Sequence, residues 1–195
     1  MVLAYHIIFT AYGFWLPNDP RGSWSDFVRE WELFLTGRAT ETYDRASQAS
    51  KPHDRARRFA AKEALKLTAV EFTGAQALSI VHGFQVAIDE AGYVLHALSI
   101  LPNHVHAVLL RHGRPAERVV GHLKARATQQ LVADGLHPFA EHRDGSGRLP
   151  SVWAHRAWKV FLDREADIRA GIQYVEGNPV KGGLRPQLWQ IVTPF

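Results

Sequence analysis

The stretch YVLHALSILPNHVHAVLLR, residues 93–111, leaves little freedom in local structure. Two runs of β-branched and aliphatic residues flank Leu101-Pro102-Asn103, a turn sequence. They read as strands over 93–100 and 104–111 joined tightly into an antiparallel hairpin. Side chains alternate along a strand, so His104 and His106 share one face while Val105 joins the apolar residues of the other. Two imidazoles one pleat apart can hold a metal ion, grip a phosphate oxygen, or simply hydrogen-bond at the sheet surface. The pair alone leaves these readings open, because a metal site needs further ligands.

Elsewhere the chain supplies partners for the hairpin. Residues 4–12 (AYHIIFTAY) read as a first strand, and GFWLPNDPRGSW, 13–24, breaks regular structure with Gly, Pro and Asn-Asp. Trp15, Arg21 and Trp24 there are of the types that stack on bases or grip phosphates, and equally of the types that cover a core edge. Residues 25–50 read as polar insertion with a short helix around 26–35. KPHDRARRFAAKEALK then sets six basic residues against two acidic ones. That is either a solvated helix face or a phosphate-contacting one.

Thr73 is a natural N-cap for a helix carrying Leu78, Val81, Phe84, Gln85 and Ile88 and ending at Ala91-Gly92. Pro115 opens a second helix whose stripe is Val119, Val120, Leu123, Ala127, Gln130 and Leu131, ending near Gly135. Lys124 and Arg126 lie off that stripe. A Gly-rich loop over 138–150 leads to one or two short strands over 151–162. Asp163 is expected to cap a last helix with Ile168, Ile172 and Val175 inward, and Pro179 to end it. The order is strand, insertion, helix, hairpin, helix, strand, helix, which predicts an α+β domain with helices packed on one face of an antiparallel sheet.

Composition sets outer limits. The 195 residues, 46% hydrophobic, suffice for one domain with a large insertion. A net charge of +4 suits a polyanionic partner without requiring one. Cys is absent, which excludes disulfides, thiolate metal sites and cysteine nucleophiles. The apolar run at 3–9 is too short for a signal peptide and is interrupted by Tyr5 and His6. No run reaches the roughly 18 apolar residues of a membrane span. A cytoplasmic protein is expected.

The end of the last helix, QYVEGNPVKGGL, adds chemistry. Tyr174 sits beside the apolar stripe, and Asn178, four residues on, shares its face. Each has an ordinary explanation, as edge packing and as a helix stop before proline. Taken with the histidine pair they suggest one reaction. A phenol titrates near 10 and attacks only a well-positioned, activated electrophile. A divalent ion held by two imidazoles and an amide oxygen would leave positions open for a phosphate and stabilise charge on it.

ALSILPNHVHAVLL, LKARATQQL, VWAHRAWKVFL and YVEGNPVKGGL occur in an order that resembles the single-tyrosine HUH transposases. These are small insertion-sequence transposases and their relatives associated with repetitive extragenic palindromes (REP). The resemblance spans 4–12 and about 73–184, and WLPNDPRGSW is similar to one branch of the family. It implies a ferredoxin-like sheet of the HUH endonuclease type within a single domain over 1–195, with an insertion at about 13–73. It implies metal ligation by His104 and His106, with Asn178 at the third ligand position, and Tyr174 as nucleophile. It implies Mg²⁺ or Mn²⁺ as cofactor, with Mn²⁺ the tighter, although imidazoles by themselves favour Zn, Ni or Cu. The substrate implied is single-stranded or hairpin DNA, cut and rejoined through a phosphotyrosine link. A homodimer and a monomer both remain open.

Lys124, Arg126, Arg156, Lys159, Lys181 and Arg21 are candidate phosphate contacts, and Trp15 and Trp158 candidate stacking residues. Two other function classes stand beside the transposase. One is a DNA-hairpin-binding module without catalysis, for which a nucleophile is superfluous. The other is a zinc hydrolase, for which the chain lacks a His-Glu-x-x-His helix.

Overall fold

The structure, a computed structural model, describes residues 1–23, 25–42, 48 and 51–195. Trp24, one of the aromatic candidates, lies outside the described residues. The chain divides into two compact units, one formed by Met1–Ala11 with Glu71–Phe195 and the other by Tyr12–Val70.

The first unit holds β1 (Ala4–Ala11), α3 (Gly74–Ala91), β2 (Leu95–Ile100), β3 (His104–Leu110), α4 (Ala116–Ala133), β4 (Trp153–Leu162) and α5 (Glu165–Lys181). The strands form one sheet in the order β2-β3-β1-β4, with every neighbouring pair antiparallel. The α+β expectation holds, and the β-α-β-β-α-β path with this strand order is ferredoxin-like. The expected hairpin is β2 and β3, and 151–162 yields a single ten-residue strand. Its pairing with β1 is irregular between Phe9 and Ala11.

The helices divide between the two faces of the sheet. Phe9, on one face, meets Phe84 of α3 and Trp153, with ring centroids 6.0 and 5.4 Å apart. α3 and α4 cover that face, and the expectation of helices on one face alone does not hold, because both sides of the sheet carry apolar residues to bury. α5 takes the other, where Ala4, Ala97, Val108, Leu162, Ile168 and Val175 form a second apolar cluster.

Thr73 caps α3 through a capping box with Gln76, and Gly92 ends it in the left-handed conformation at φ 67°. The buried stripe of α3 is Ala77, Ile80, Val81, Phe84 and Ala87, whereas Leu78 is half exposed and Gln85 only partly buried. Apolar residues on both sides of α3 permit either face to turn inward, and the contact with α4 selects one. A β-carbon at Gly83 would lie 2.5 Å from the Ala127 backbone, so the helices cross where glycine permits it. α5 departs from expectation at both ends. Its N-cap is Arg164, with no side-chain cap, in place of Asp163. It also continues through Pro179 to Lys181, since a proline near a helix end forfeits one hydrogen bond while the last turn closes through Gly182 N–H to Asn178 C=O at 3.0 Å.

The second unit contains α1 (Trp31–Leu35) and α2 (Arg55–Glu63). It has its own small core of Leu16, Leu33 and Ala61, and its two ends are joined by Val70 N–H bonding Tyr12 C=O at 2.9 Å. Tyr12–Val70 is thus a compact unit in its own right. Its short helix occupies only Trp31–Leu35 of the expected 26–35.

No helix among the described residues is long and apolar enough to cross a membrane.

Candidate functional site

Strand register assembles the site. β1 pairs with β3 so that Thr10 lies opposite His104, Ile8 opposite His106 and His6 opposite Val108. Paired residues share a face, so His6, His104 and His106 all project toward α5. Trp158 of β4 pairs with Ile8, placing Trp158, Ile8 and His106 in one row across three strands.

α5 lies over this face, chiefly on β2 and β3. A β-carbon at Gly171 would sit 3.6 Å from Val108, the Tyr174 ring is 5.8 Å from His106, and a β-carbon at Gly182 would sit 3.4 Å from Leu101. α5 therefore runs antiparallel to β3. Asn178, one turn beyond Tyr174, falls at the level of His104.

The three imidazoles are packed together. His104 and His106 have ring centroids 4.9 Å apart, and His6 stacks on His106 at 5.2 Å. The Tyr174 ring stands edge-on to both His6 and His106, at 5.5 and 5.8 Å. Burial disfavours the charged imidazolium, holding His6 and His104 down to about 4. Burial lowers His106 further, to about 3, with repulsion from His104 and His6 adding to it. All three rings are neutral at pH 7, the state in which imidazole nitrogen can ligate a metal.

Hydrogen bonds orient the rings. His104 Nδ1–H donates to Asn103 Oδ1 at 2.6 Å, which places the lone pair of the neutral ring on Nε2. His106 Nδ1 is 2.9 Å from His6 Nε2, leaving His106 Nε2 on the far side of its ring.

His104, His106 and Asn178 are the donors that a two-imidazole, one-amide site would draw on. Among the described residues, no three or more His, Cys, Asp or Glu side chains converge as a metal cluster. A His104, His106 and Asn178 set contains only two such residues, so this observation leaves it intact. Asn178 is 8% exposed, and its buried Nδ2 has no hydrogen-bond partner. A half-turn of that amide would offer Oδ1 in the same place. Ser99, cross-strand from His106, is wholly buried with its hydroxyl likewise unpartnered. Unsatisfied polar atoms in a buried layer are costly and uncommon, and both lie on the histidine side of the sheet.

Of the basic candidates, the structure brings Lys181 to the tyrosine. Side chains lean toward a helix's N-terminus, so Lys181 passes over Gly177 and sets its ammonium 4.9 Å from the Tyr174 ring centre. Gln173, Tyr174, Gly177 and Lys181 line a shallow groove of about 410 Å³. Trp158 is partly buried and Arg156 exposed on β4.

The remaining basic candidates are engaged elsewhere. Lys124 donates to the Ala154 and Arg156 carbonyls at 2.8 and 3.1 Å, beneath the irregular part of β4, and its ammonium is lowered to about 8 by burial. Arg126 is paired with Glu90, and Lys159 with Glu117 of α4, on the face opposite α5. In the second unit Arg21 is 7% exposed and forks onto Asp19 at 2.8 and 2.7 Å, so the phosphate contact expected of it is closed off. Trp15 stacks on that guanidinium at 3.8 Å and donates to Gly22 C=O, which makes it part of the unit's packing in place of an open stacking platform.

His6 is the member of the site absent from the motif reading, which treats it only as an interruption in an apolar run. A signal existed: it alternates with Ile8 and Thr10 and so shares their face. Which face of the next strand it meets depends on a register that sequence does not specify.

The fold defines a ferredoxin-like α+β protein with a polar cluster between the sheet and its last helix. Among solved structures, a REP-associated tyrosine transposase bound to a REP hairpin is similar to this chain at 14% identity and a TM-score of 0.49. The similarity covers 94% of this chain and 70% of that one. No protein-family model matches, and no curated protein matches.

Proposed function

We propose that this chain is a metal-dependent endonuclease and transposase that cuts and rejoins single-stranded or hairpin DNA through Tyr174. The observation that carries the reading is the juxtaposition of the Tyr174 ring with His106 on one sheet face, with Asn178 one turn further along the same helix. The resemblance of the four sequence segments to the single-tyrosine HUH transposases supports it independently.

His104 and His106 through Nε2, and Asn178 through its amide oxygen, would hold Mg²⁺ or Mn²⁺. When bound, the ion supplies polarisation of a phosphoryl oxygen and stabilisation of charge in the transition state. Tyr174 Oη attacks the phosphorus of the scissile phosphodiester. The new O–P bond replaces the bond to the 3′ oxygen, the phenolic proton is given up, and the leaving oxygen is protonated to a free 3′-hydroxyl. The number of phosphoester bonds is conserved, so the reverse attack reseals DNA without a nucleotide cofactor. Lys181 sets a positive charge beside the attacking ring, where the phosphate arrives. Trp158, in the row with Ile8 and His106, offers an aromatic surface to an unpaired base.

The test is a denaturing gel with labelled hairpin oligonucleotides and Mn²⁺. A slow-migrating protein–DNA adduct is expected with the wild-type chain, and neither with Tyr174→Phe nor in the presence of EDTA. An adduct that persists in Tyr174→Phe rules out the nucleophile. Tight hairpin binding with no adduct under any metal favours the non-catalytic binding module.

A further inference from the structure

We infer that His6 is a positioning residue: its imidazole holds His106 in the Nδ1–H tautomer and aims His106 Nε2 at the metal. The inference rests on the proposed metal site and extends it to a third histidine, on another strand.

The geometry excludes a more direct role. His6 Nε2 lies 2.9 Å from His106 Nδ1, on the opposite edge of that ring from Nε2. A single ion cannot be reached from both sides of one imidazole, and among the described residues no three His, Cys, Asp or Glu side chains are placed to hold one metal ion together, the three packed imidazoles included. His6 therefore stands behind His106 as a hydrogen-bond partner. A neutral imidazole carries one ring proton. If Nε2 of His106 is to ligate, its proton must sit on Nδ1 and be donated to His6 Nε2, which then accepts. The two candidate ligands are thus held differently, His104 by the Asn103 amide oxygen and His106 by another imidazole. Metal-ligating histidines are commonly fixed by such a partner at the second nitrogen.

Packing alone gives His6 no reason to be histidine. Its neighbours on that face of β1 are Ala4, Ile8 and Thr10, and it is 9% exposed beneath α5. Ring stacking on His106 and edge contact with Tyr174 could be supplied by phenylalanine without burying ring nitrogens. The nitrogen facing His106 is what phenylalanine lacks.

The experiment measures Mn²⁺ affinity without DNA, by electron paramagnetic resonance, in wild type, His6→Phe, His6→Gln and His104→Ala. Loss of an orienting partner typically weakens metal binding ~10–100-fold, and that is expected of His6→Phe. His6→Gln restores an acceptor near the Nε2 position and is expected to recover most of the loss. Equal Mn²⁺ affinity in wild type and His6→Phe overturns the inference while leaving the metal site standing. No Mn²⁺ binding by wild type, or binding undiminished in His104→Ala, removes the metal site and this inference with it. A measurement on the wild-type chain covers the case in which the variants do not fold. Two-bond ¹H–¹⁵N correlations of the metal-free protein are expected to show His106 protonated at Nδ1. A proton on Nε2 overturns the assignment.

Discussion

The Tyr174 ring stands between two histidines from different strands, 5.5 Å from His6 of β1 and 5.8 Å from His106 of β3. A residue of the last helix is thereby set over two diagonal neighbours on one sheet face that lie 100 positions apart in sequence. The chemistry proposed for the protein depends on that crossing, and the following outcomes test it and the scaffold that supports it.

Lys181→Gln removes the cation beside Tyr174 and leaves α5 intact, since the side chain lies on the exposed surface over Gly177. Adduct formation is expected to slow by about 10²–10³-fold, as for loss of one group that stabilises transition-state charge. The salt dependence of hairpin affinity should become shallower by about one phosphate contact. An unchanged rate together with an unchanged salt slope would exclude Lys181 from the site.

Gly83→Ala forces a methyl group against the Ala127 backbone, where the ideal position is only 2.5 Å away. Backbone cannot swing aside as a side-chain tip can, so α3 and α4 must separate. A loss of about 1–3 kcal/mol is expected, larger than the small gain alanine brings to helix propensity. Chemical denaturation measures it, and a neutral or stabilised variant would contradict the close crossing.

Lys124 provides a pH test on the sheet face opposite α5. Burial lowers its ammonium from 10.5 to about 8 in the folded protein. Between those values the unfolded chain binds more protons, so stability rises with pH from about 8 to 10.5. The total is at most about 3–4 kcal/mol at roughly 1.4 kcal/mol per pH unit. Lys124→Met should lack this rise. Denaturation of both proteins at pH 7.5 and 10 reads the difference, and parallel pH profiles would show that Lys124 is ordinarily solvated.

Asp19→Asn strands the Arg21 guanidinium, which is buried and bidentate on that carboxylate. Breaking a buried pair by removing one partner typically costs about 3–5 kcal/mol. The loss should appear as faster hydrogen exchange at Gly22, Ser23 and Thr42, whose amides are bonded within the same loop. Unchanged exchange there would mean that the pair does not hold the loop. Exposed basic residues offer no such test, because their ion pairs contribute little.

Much of the fold is legible in the sequence alone. Alternation places His104 and His106 on one face, Thr73 starts α3 as its N-cap, and helical spacing joins Tyr174 to Asn178. These are local relations, set by backbone periods of two and 3.6 residues that hold whatever the rest of the chain does. Where local signals are degenerate, the sequence does not choose between them. Leu78 and Ile80 are both apolar, and only the Gly83–Ala127 crossing decides which faces inward. Arg21 and Lys181 are both basic residues near aromatic ones. One is spent on a buried carboxylate and the other lies across the tyrosine, a difference set by which neighbours folding delivers.

Local pattern, then, places the main strands and helices to within a few residues, puts His104 and His106 on a common face and spaces the tyrosine from the amide. Only the tertiary structure decided that α5 crosses the sheet on the histidine side and that His6 stands behind His106. It also committed two of the expected phosphate contacts, Arg21 and Lys124, to internal partners. The reason is physical: strand register and helix docking are long-range pairings selected by the whole apolar surface being buried, and no stretch of the chain encodes them alone.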